Sequence, residues 1–524
     1  MMRSTMSLVS ARRAASGVAA ARRSIWGMSA QPTGGDTLEL PMDIPCPAPL
    51  FQGATDTQVS SLPALATSTR PPARAHQLWC SSGVAAAAPY SPPRRSGTAS
   101  LQVTTLENGL KVASSDLPTP AATIGLYIES GSAFDEIPGT AHLIQHMAFK
   151  SSSSVSQLKM VTVCEALGAA VSSLSSRENT VYQIDTLKSS VPELVGLLAE
   201  TTLAPKFLSW EVEEAHTAVK AELEELQQNP QALLQEMCHA AAYGRGSPLG
   251  QPAMCPPGNL SAVSPAVLQK FAADNMVPNR MVLAAAGYDH AELVSLAQAT
   301  FGKAAGGAPP HSAASPYTGG EVREASDEPI SHFALSFEGV GWKDPALVPL
   351  CVLNTLMGGG ASFSAGGPGK GMYTRLYQNI LNRYGFAQSA SVFNAFYNDT
   401  GLFGVYGAAP AENMGHLVAA LCDEMSKMAG PISDLELSRA KNQLKSSLLM
   451  NLESRPILFE DIGRQVLTYG ARTPASELVQ QIESVTAADL NKAATKLLKT
   501  PPSIVVYGDT TCVPRYDVIS RQFA

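Results

Sequence analysis

The order of strand-like and helix-like segments in residues 101–523 runs through the same series twice, and that duplication restricts the chain to two domains of similar fold. In the first pass, residues 103–106 and 110–113 flank Asn108-Gly109 and read as a β-hairpin. An alternating stretch over 124–129 ends at Ser130-Gly131, and Pro138-Gly139 opens an apolar helical segment over 141–149. A charged helix over 210–228, an apolar strand over 281–286 closed by Gly287, and a helix over 291–301 complete the pass. In the second pass, 332–337 reads as a strand followed by Gly339-Val340-Gly341 and Asp344-Pro345. Residues 347–357 form a helix, 433–451 a long helix, and 503–507 a closing strand ended by Gly508. The two long helices share an offset of 225, which sets Glu211 and Ala215 opposite Glu436 and Ala440.

Residues 302–327 are rich in Gly, Ala, Pro and Ser, the composition of a connection. The expectation is therefore an α+β chain of two homologous α/β-sandwich domains, each a mostly antiparallel sheet packed against helices. Residues 101–304 form the first, 305–327 a linker, and 328–523 the second.

Residues 1–100 differ in texture. They hold nine arginines and no lysine against Asp36, Glu39, Asp43 and Asp56, a balance of +5 within a chain of net charge −7, which leaves −12 for the remainder. No acid precedes Asp36, while Arg3, Arg12, Arg13, Arg22 and Arg23 punctuate an Ala- and Ser-rich stretch. That pattern reads as an organelle-targeting leader rather than a nucleic-acid arm, and the Pro/Ser/Ala tract behind it has too little apolar surface to fold. An acidic body suits basic partners and disfavours nucleic acid. Eight cysteines occur without any Cys-x-x-Cys, which argues against a disulfide framework or a thiolate metal site. No continuous apolar run reaches the roughly 18 residues of a membrane span.

Residues 142–146 read His-Leu-Ile-Gln-His. Histidines four apart on a helix lie about 40° apart around the axis and about 6 Å apart along it, so both rings reach one ion. In the inverted zinc-peptidase motif H-x-x-E-H, the residue before the second histidine is the general base. Here it is Gln145, and a carboxamide can hold water but cannot deprotonate it. A third ligand would come from the glutamate-rich charged helix, where composition does not select among Glu222, Glu224 and Glu225. The second pass lacks the histidines. His239, His290 and His416 stand alone and read as structural, and Met357 and Met372 read as packing residues. Glu453 and Glu460 near Arg455 read as surface ion pairs or as part of an acidic peptide-binding wall.

Residues 358–371 hold seven glycines. A phosphate-binding loop is excluded, because Ser364 stands at its first glycine and Gly371 follows Lys370 where Ser or Thr belongs. The alternative is a mobile flap whose bare backbone pairs with an extended peptide through Gly358, Gly359, Gly360, Ser362, Phe363, Gly366, Gly367, Gly369, Lys370 and Gly371.

The pair His142 and His146, with Glu222 lying 76 positions beyond His146 in a duplicated α/β half, resembles the pitrilysin-type zinc peptidases. That resemblance implies His142, His146 and Glu222 as the zinc ligands, with Gln145 in the place of the base and the metal itself vestigial, purely structural or absent. The glycine-rich run, Leu381-Asn382-Arg383-Tyr384 and Asn398-Asp399-Thr400-Gly401-Leu402 further resemble the alpha subunits of the mitochondrial processing peptidase. This likeness covers about residues 101–523. It implies a heterodimer in the mitochondrial matrix, or on the matrix face of the inner membrane, in which a beta subunit supplies the catalytic zinc and base and this chain grips presequence peptides. The same resemblance extends to core subunits of the cytochrome bc complex, so a structural role among its subunits is the second expectation. A third is a peptidase working alone, with Glu165 or Glu224 replacing the missing base.

Overall fold

The computed structural model describes residues 101–309, 313–362 and 372–523. The basic leader expected over 1–100 lies outside the described residues, as do Phe363, Gly366, Gly367, Gly369, Lys370 and Gly371.

The first half supplies β1 (Gln102–Thr105), β2 (Lys111–Ser115), β3 (Ala121–Ile128), β4 (Ala170–Ser175), β5 (Thr180–Leu187) and β6 (Met281–Ala286). They form one sheet in the order β1-β2-β6-β3-β5-β4, in which only β2 and β6 run parallel. Its helices are α1 (Thr140–His146), α2 (Gln157–Ala166), α3 (Val191–Leu203), α4 (Ser209–Gln227), α5 (Pro230–Tyr243), α6 (Pro265–Asn275) and α7 (His290–Phe301). The central position of β6 explains its unbroken Met-Val-Leu-Ala-Ala-Ala text: all six residues are buried, and a strand covered on both faces has no polar side to alternate with.

The second half repeats the plan with β7 (Gly320–Glu324), β8 (Ile330–Glu338), β9 (Gly359–Ala361), β10 (Ser389–Phe396), β11 (Gly401–Pro410) and β12 (Ser503–Tyr507), ordered β7-β12-β8-β11-β10-β9. Again one pair is parallel, β7 with β12. Five strands therefore match in order and direction, and each sheet adds a sixth at the opposite end: β1 beside β2 in the first, β9 beside β10 in the second. The helices here are α8 (Leu347–Met357), α9 (Met414–Ser426), α10 (Asp434–Glu453), α11 (Arg455–Tyr469), α12 (Ala475–Ser484), α13 (Ala487–Leu498) and the short α14 (Tyr516–Ser520). Ala215 and Ala440, paired by the offset of 225, are both buried on the matching helices α4 and α10.

Two features were not legible in the sequence. The segment expected as a linker contains β7, and Tyr317 within it hydrogen-bonds Pro501 O at 2.8 Å and Ser503 Oγ at 2.9 Å. A half-exposed edge strand needs little apolar content, so its composition resembles a connection.

The halves also exchange helices. Apolar residues of α5 (Leu234, Cys238, Ala242) pack with Ala334, Tyr406 and Val505 of the second sheet. Reciprocally, Leu458, Phe459, Ile462 and Val466 of α11 pack with Ala113, Tyr127, Val282 and Ala284 of the first sheet. Gly463 permits this approach: a Cβ there would lie 2.1 Å from the Tyr127 ring. Each large side chain buried this way contributes about 1.5–3 kcal/mol, so the exchange couples the stability of the halves. A buried polar link adds to it. Arg177, at the tip of the β4–β5 hairpin, donates to both oxygens of Glu236 on α5 at 3.3 and 2.9 Å, and His239 on the same helix meets the Tyr397 hydroxyl at 2.6 Å.

Candidate functional site

The short helix α1 begins at Gly139, whose φ of 102° suits the absence of a side chain. Cys255 rests against that glycine, since a Cβ there would lie 2.4 Å from Cys255 Cβ. Asp135 caps the start of the helix by accepting the backbone N–H groups of Gly139 and Ala141, both at 2.9 Å. Burial pushes the Asp135 carboxyl up to about 7 despite those hydrogen bonds, which pull the other way.

On this helix His142 is buried (2 % exposed) and His146 is partly so (15 %). Glu222, 17 % exposed, reaches them from α4: its Oε2 lies 2.9 Å from His142 Nε2 and 3.3 Å from His146 Nε2. Among the described residues these three form the only cluster of His, Cys, Asp or Glu groups arranged to surround an ion. The structure thereby selects Glu222 over Glu224 and Glu225, both of which face solvent. Burial would raise the Glu222 carboxyl, but hydrogen bonds from His142 and His146 outweigh it and hold the group well below the usual carboxylate range.

Gln145 is buried and turned to the sheet edge. Its Oε1 accepts the Ser175 N–H at 2.8 Å, and its backbone carbonyl accepts the Ser173 hydroxyl at 2.8 Å, both from β4. The carboxamide is thus occupied in tying α1 to the outermost strand of the first sheet. Glu165 and Glu224, the alternative bases, are both exposed and stand outside the cluster.

Two properties decide whether zinc fits. Tetrahedral zinc with ligand bonds of about 2.0–2.1 Å separates its ligand atoms by about 3.3 Å, and a His₂Glu set is among its ordinary catalytic shells. The 2.9 and 3.3 Å separations are close to that spacing. The proton inventory is not compatible. The backbone N–H of Cys255 donates to His142 Nδ1 at 3.1 Å. A neutral imidazole has one N–H and one lone pair, so His142 carries its proton on Nε2, the nitrogen a metal would need. Zinc-bound histidines have the reverse arrangement, donating their far N–H to a carboxylate, carbonyl or water.

The glycine-rich run begins as β9, which pairs with β10 (Gly359 with Ser391, Ala361 with Ser389), and Ser362 N–H donates to Gln388 O at 2.8 Å. Gly358, Gly359, Gly360 and Ser362 therefore lie in or beside the edge strand of the second sheet, well separated in the chain from the histidine cluster. The return of the loop is pinned by Arg375, which binds both oxygens of Glu436 on α10 at 2.6 and 3.1 Å. Of the residues set aside as structural, His239 and Met357 are buried in packing roles. Arg455 pairs with Asp185 at 3.5 Å and with the Thr123 hydroxyl. Sequence reasoning missed Asp135, Cys255 and Ser175. Asp135, four residues before Gly139, carried a helix-start signal that could have been read; Cys255 and Ser175 act through backbone N–H groups and left none.

Comparison with known proteins agrees with this geometry. Residues 111–257 match the model described as Insulinase (Peptidase family M16), and residues 262–444 match Peptidase M16 inactive domain. The mitochondrial-processing peptidase subunit alpha of Solanum tuberosum is 42% identical over 432 residues, covering 81% of this chain and 85% of that protein. The probable subunit alpha-1 of Arabidopsis thaliana is 41% identical over 427 residues (81% and 84%), and the Bos taurus subunit alpha is 36% identical over 445 residues (81% and 85%). A chain of Complex III2 from Candida albicans has the same fold, with a TM-score of 0.71 at 21% identity, covering 81% of this chain and all of that one. Duplicated M16 domains, and identities of 36–42% across some four-fifths of its length, establish that this chain belongs to the family of mitochondrial-processing peptidase alpha subunits.

Proposed function

We propose that this chain is the non-catalytic, presequence-recognising subunit of a heterodimeric processing peptidase in the mitochondrial matrix. A beta subunit would supply the catalytic zinc and the general base, and the pair would remove targeting presequences from imported proteins. One observation carries the non-catalytic part: Gln145 occupies the base position and its amide oxygen is engaged by the Ser175 N–H. Losing a positioned base costs about 10²- to 10⁴-fold in rate, and neither Glu165 nor Glu224 joins the cluster to replace it. The recognition part draws on the net charge of −12 outside the first hundred residues, which complements arginine-bearing presequences. It also draws on the glycine-rich run over 358–371, whose backbone can pair with extended peptides of varied sequence. The test compares cleavage of a presequence peptide by the catalytic partner alone, with this chain, and with this chain lacking 358–371. Recognition predicts fast cleavage only with the intact chain; equal rates in all three end the proposal.

The fold shared with a chain of Complex III2 supports a second reading, a core subunit of the respiratory cytochrome bc complex. No helix among the described residues is long and apolar enough to cross a membrane, so attachment would come through partners. Native-gel migration separates the readings: movement with cytochromes indicates the core role, and a band near two chains of this size indicates the processing pair.

A further inference from the structure

We infer that His142, His146 and Glu222 form a metal-free clasp joining α1 to α4, and that the backbone N–H of Cys255 is the group that keeps zinc out. The inference goes beyond presequence recognition and does not depend on it.

Glu222 is a carboxylate and can only accept. Its Oε2 faces His142 Nε2 at 2.9 Å and His146 Nε2 at 3.3 Å. Both rings therefore direct an N–H at one oxygen; the His142 bond has the length of the stronger, charge-assisted kind, and the His146 bond is longer and weaker. For His142 the tautomer is fixed from the other side, because Cys255 N–H fills the Nδ1 lone pair at 3.1 Å. Entry of zinc would need the Nε2 proton to leave or to move to Nδ1. A proton on Nδ1 would face the Cys255 N–H head-on, so the metal could bind only by breaking that buried hydrogen bond and turning the peptide. The peptide has little room to turn. Cys255 is wholly buried with its Cβ over Gly139, and Pro256 and Pro257 follow it. The loop bearing Cys255 also holds Asn259, whose side-chain amide donates to Pro138 O at 3.1 Å. The complete ligand set thus survives while the group behind it has the wrong sign. Partner groups of this kind shift metal affinity by about 10- to 100-fold. Gln145 completes the clasp by tying the same helix to β4.

The test uses the full chain and zinc alone. After dialysis against micromolar zinc, the natural chain is expected to retain far less than one zinc per chain, and its Tm is expected to be unmoved by zinc or by a chelator. Selective ¹⁵N labelling of histidine is expected to show His142 protonated at Nε2. Cys255→Pro removes the donor and frees Nδ1 to take the proton; it is expected to bind zinc about 10- to 100-fold more tightly. Glu222→Ala is expected to lower Tm equally with and without chelator, because what it breaks is a set of hydrogen bonds. One tightly held zinc per natural chain, a Tm that falls on chelation, or an Nδ1-protonated His142 would each overturn the inference. The ¹⁵N spectrum of the natural chain decides the matter even where Cys255→Pro fails to fold.

Discussion

The two halves share five strands in one order and a helix offset of 225, yet they furnish the scaffold differently. Helix α8, which follows β8 as α1 follows β3, contains no histidine, while the offset of 225 sets Ser447 opposite Glu222. A charged, proton-sharing cluster in one half thus has no counterpart in the other. The sheet edges differ too. In the first sheet β4 is outermost and is met by Gln145; in the second the matching strand β10 is covered by β9. The lesson is that the fold requires the packing of these helices and not their polar chemistry, which leaves each half free to keep or lose a site.

The acids before the two matching helices sharpen the contrast. Asp135 caps α1 from a buried position that raises it to about 7. Asp344 caps α8 by accepting the Ala346 N–H at 2.8 Å; burial pushes it up, but that bond and Lys496 together outweigh it and hold it below the usual range.

The largest expected effect falls where the halves exchange helices. Phe459→Ala should cost about 3–5 kcal/mol by leaving a cavity between α11 and the first sheet. Denaturant unfolding checks it, and a loss confined to the second half would show that the exchange does not couple the two.

Next come the opposed acids. A raised carboxyl in the folded state means folding takes up a proton. The Asp135 contribution is therefore complete below about pH 4 and declines as pH rises through about 7, on the order of 2–4 kcal/mol in all. Asp135→Asn should flatten that decline in unfolding experiments across this range; an unchanged slope would assign the shift elsewhere.

Arg375→Ala leaves Glu436 without its bidentate partner and should cost about 1.5–3 kcal/mol. On the proposed function it should also weaken presequence binding, measured by fluorescence titration, because it unpins the return of the loop. The corresponding contact in the first half, Glu211 with the Ser151 hydroxyl at 2.6 Å, should leave peptide binding unaltered when cut by Ser151→Ala.

Asp344→Asn should lose only a few tenths to about 1 kcal/mol, as expected of a partly exposed cap. The loss has the opposite sign from that of Asp135: the lowered carboxyl contributes above the unfolded value and its contribution disappears as pH falls below about 4. The smallest effect is expected from Gln145→Glu. Restoring a base beside a His142 that carries its proton on Nε2 should yield no peptide cleavage by this chain alone. Appearance of chelator-sensitive cleavage in that variant would show that the cluster accepts metal after all.

Much of the fold was readable because it rests on local periodicity. The helix over 347–357 and the strands over 281–286 and 503–507 have the predicted bounds, since each is a dense apolar run closed by Gly. The chemistry at position 145 was equally plain, because an amide has no basicity in any environment. What local text could not carry was adjacency. Nothing in the letters of 230–243 says that this helix leaves its own half, because an apolar stripe specifies burial without naming what buries it. Nor could the composition of 302–327 reveal an edge strand.

The duplicated order, the acidic body, the histidine pair and the missing base were therefore set by the amino-acid sequence, through periodicity and the intrinsic chemistry of side chains. Tertiary structure alone chose Glu222 from three neighbouring glutamates, turned Gln145 onto β4 and placed a Cys255 N–H behind His142. The physical reason is that proton position depends on what faces each lone pair. For His142 that group is a backbone donor 113 residues away, delivered by packing and not by any feature of the side chain at its own position.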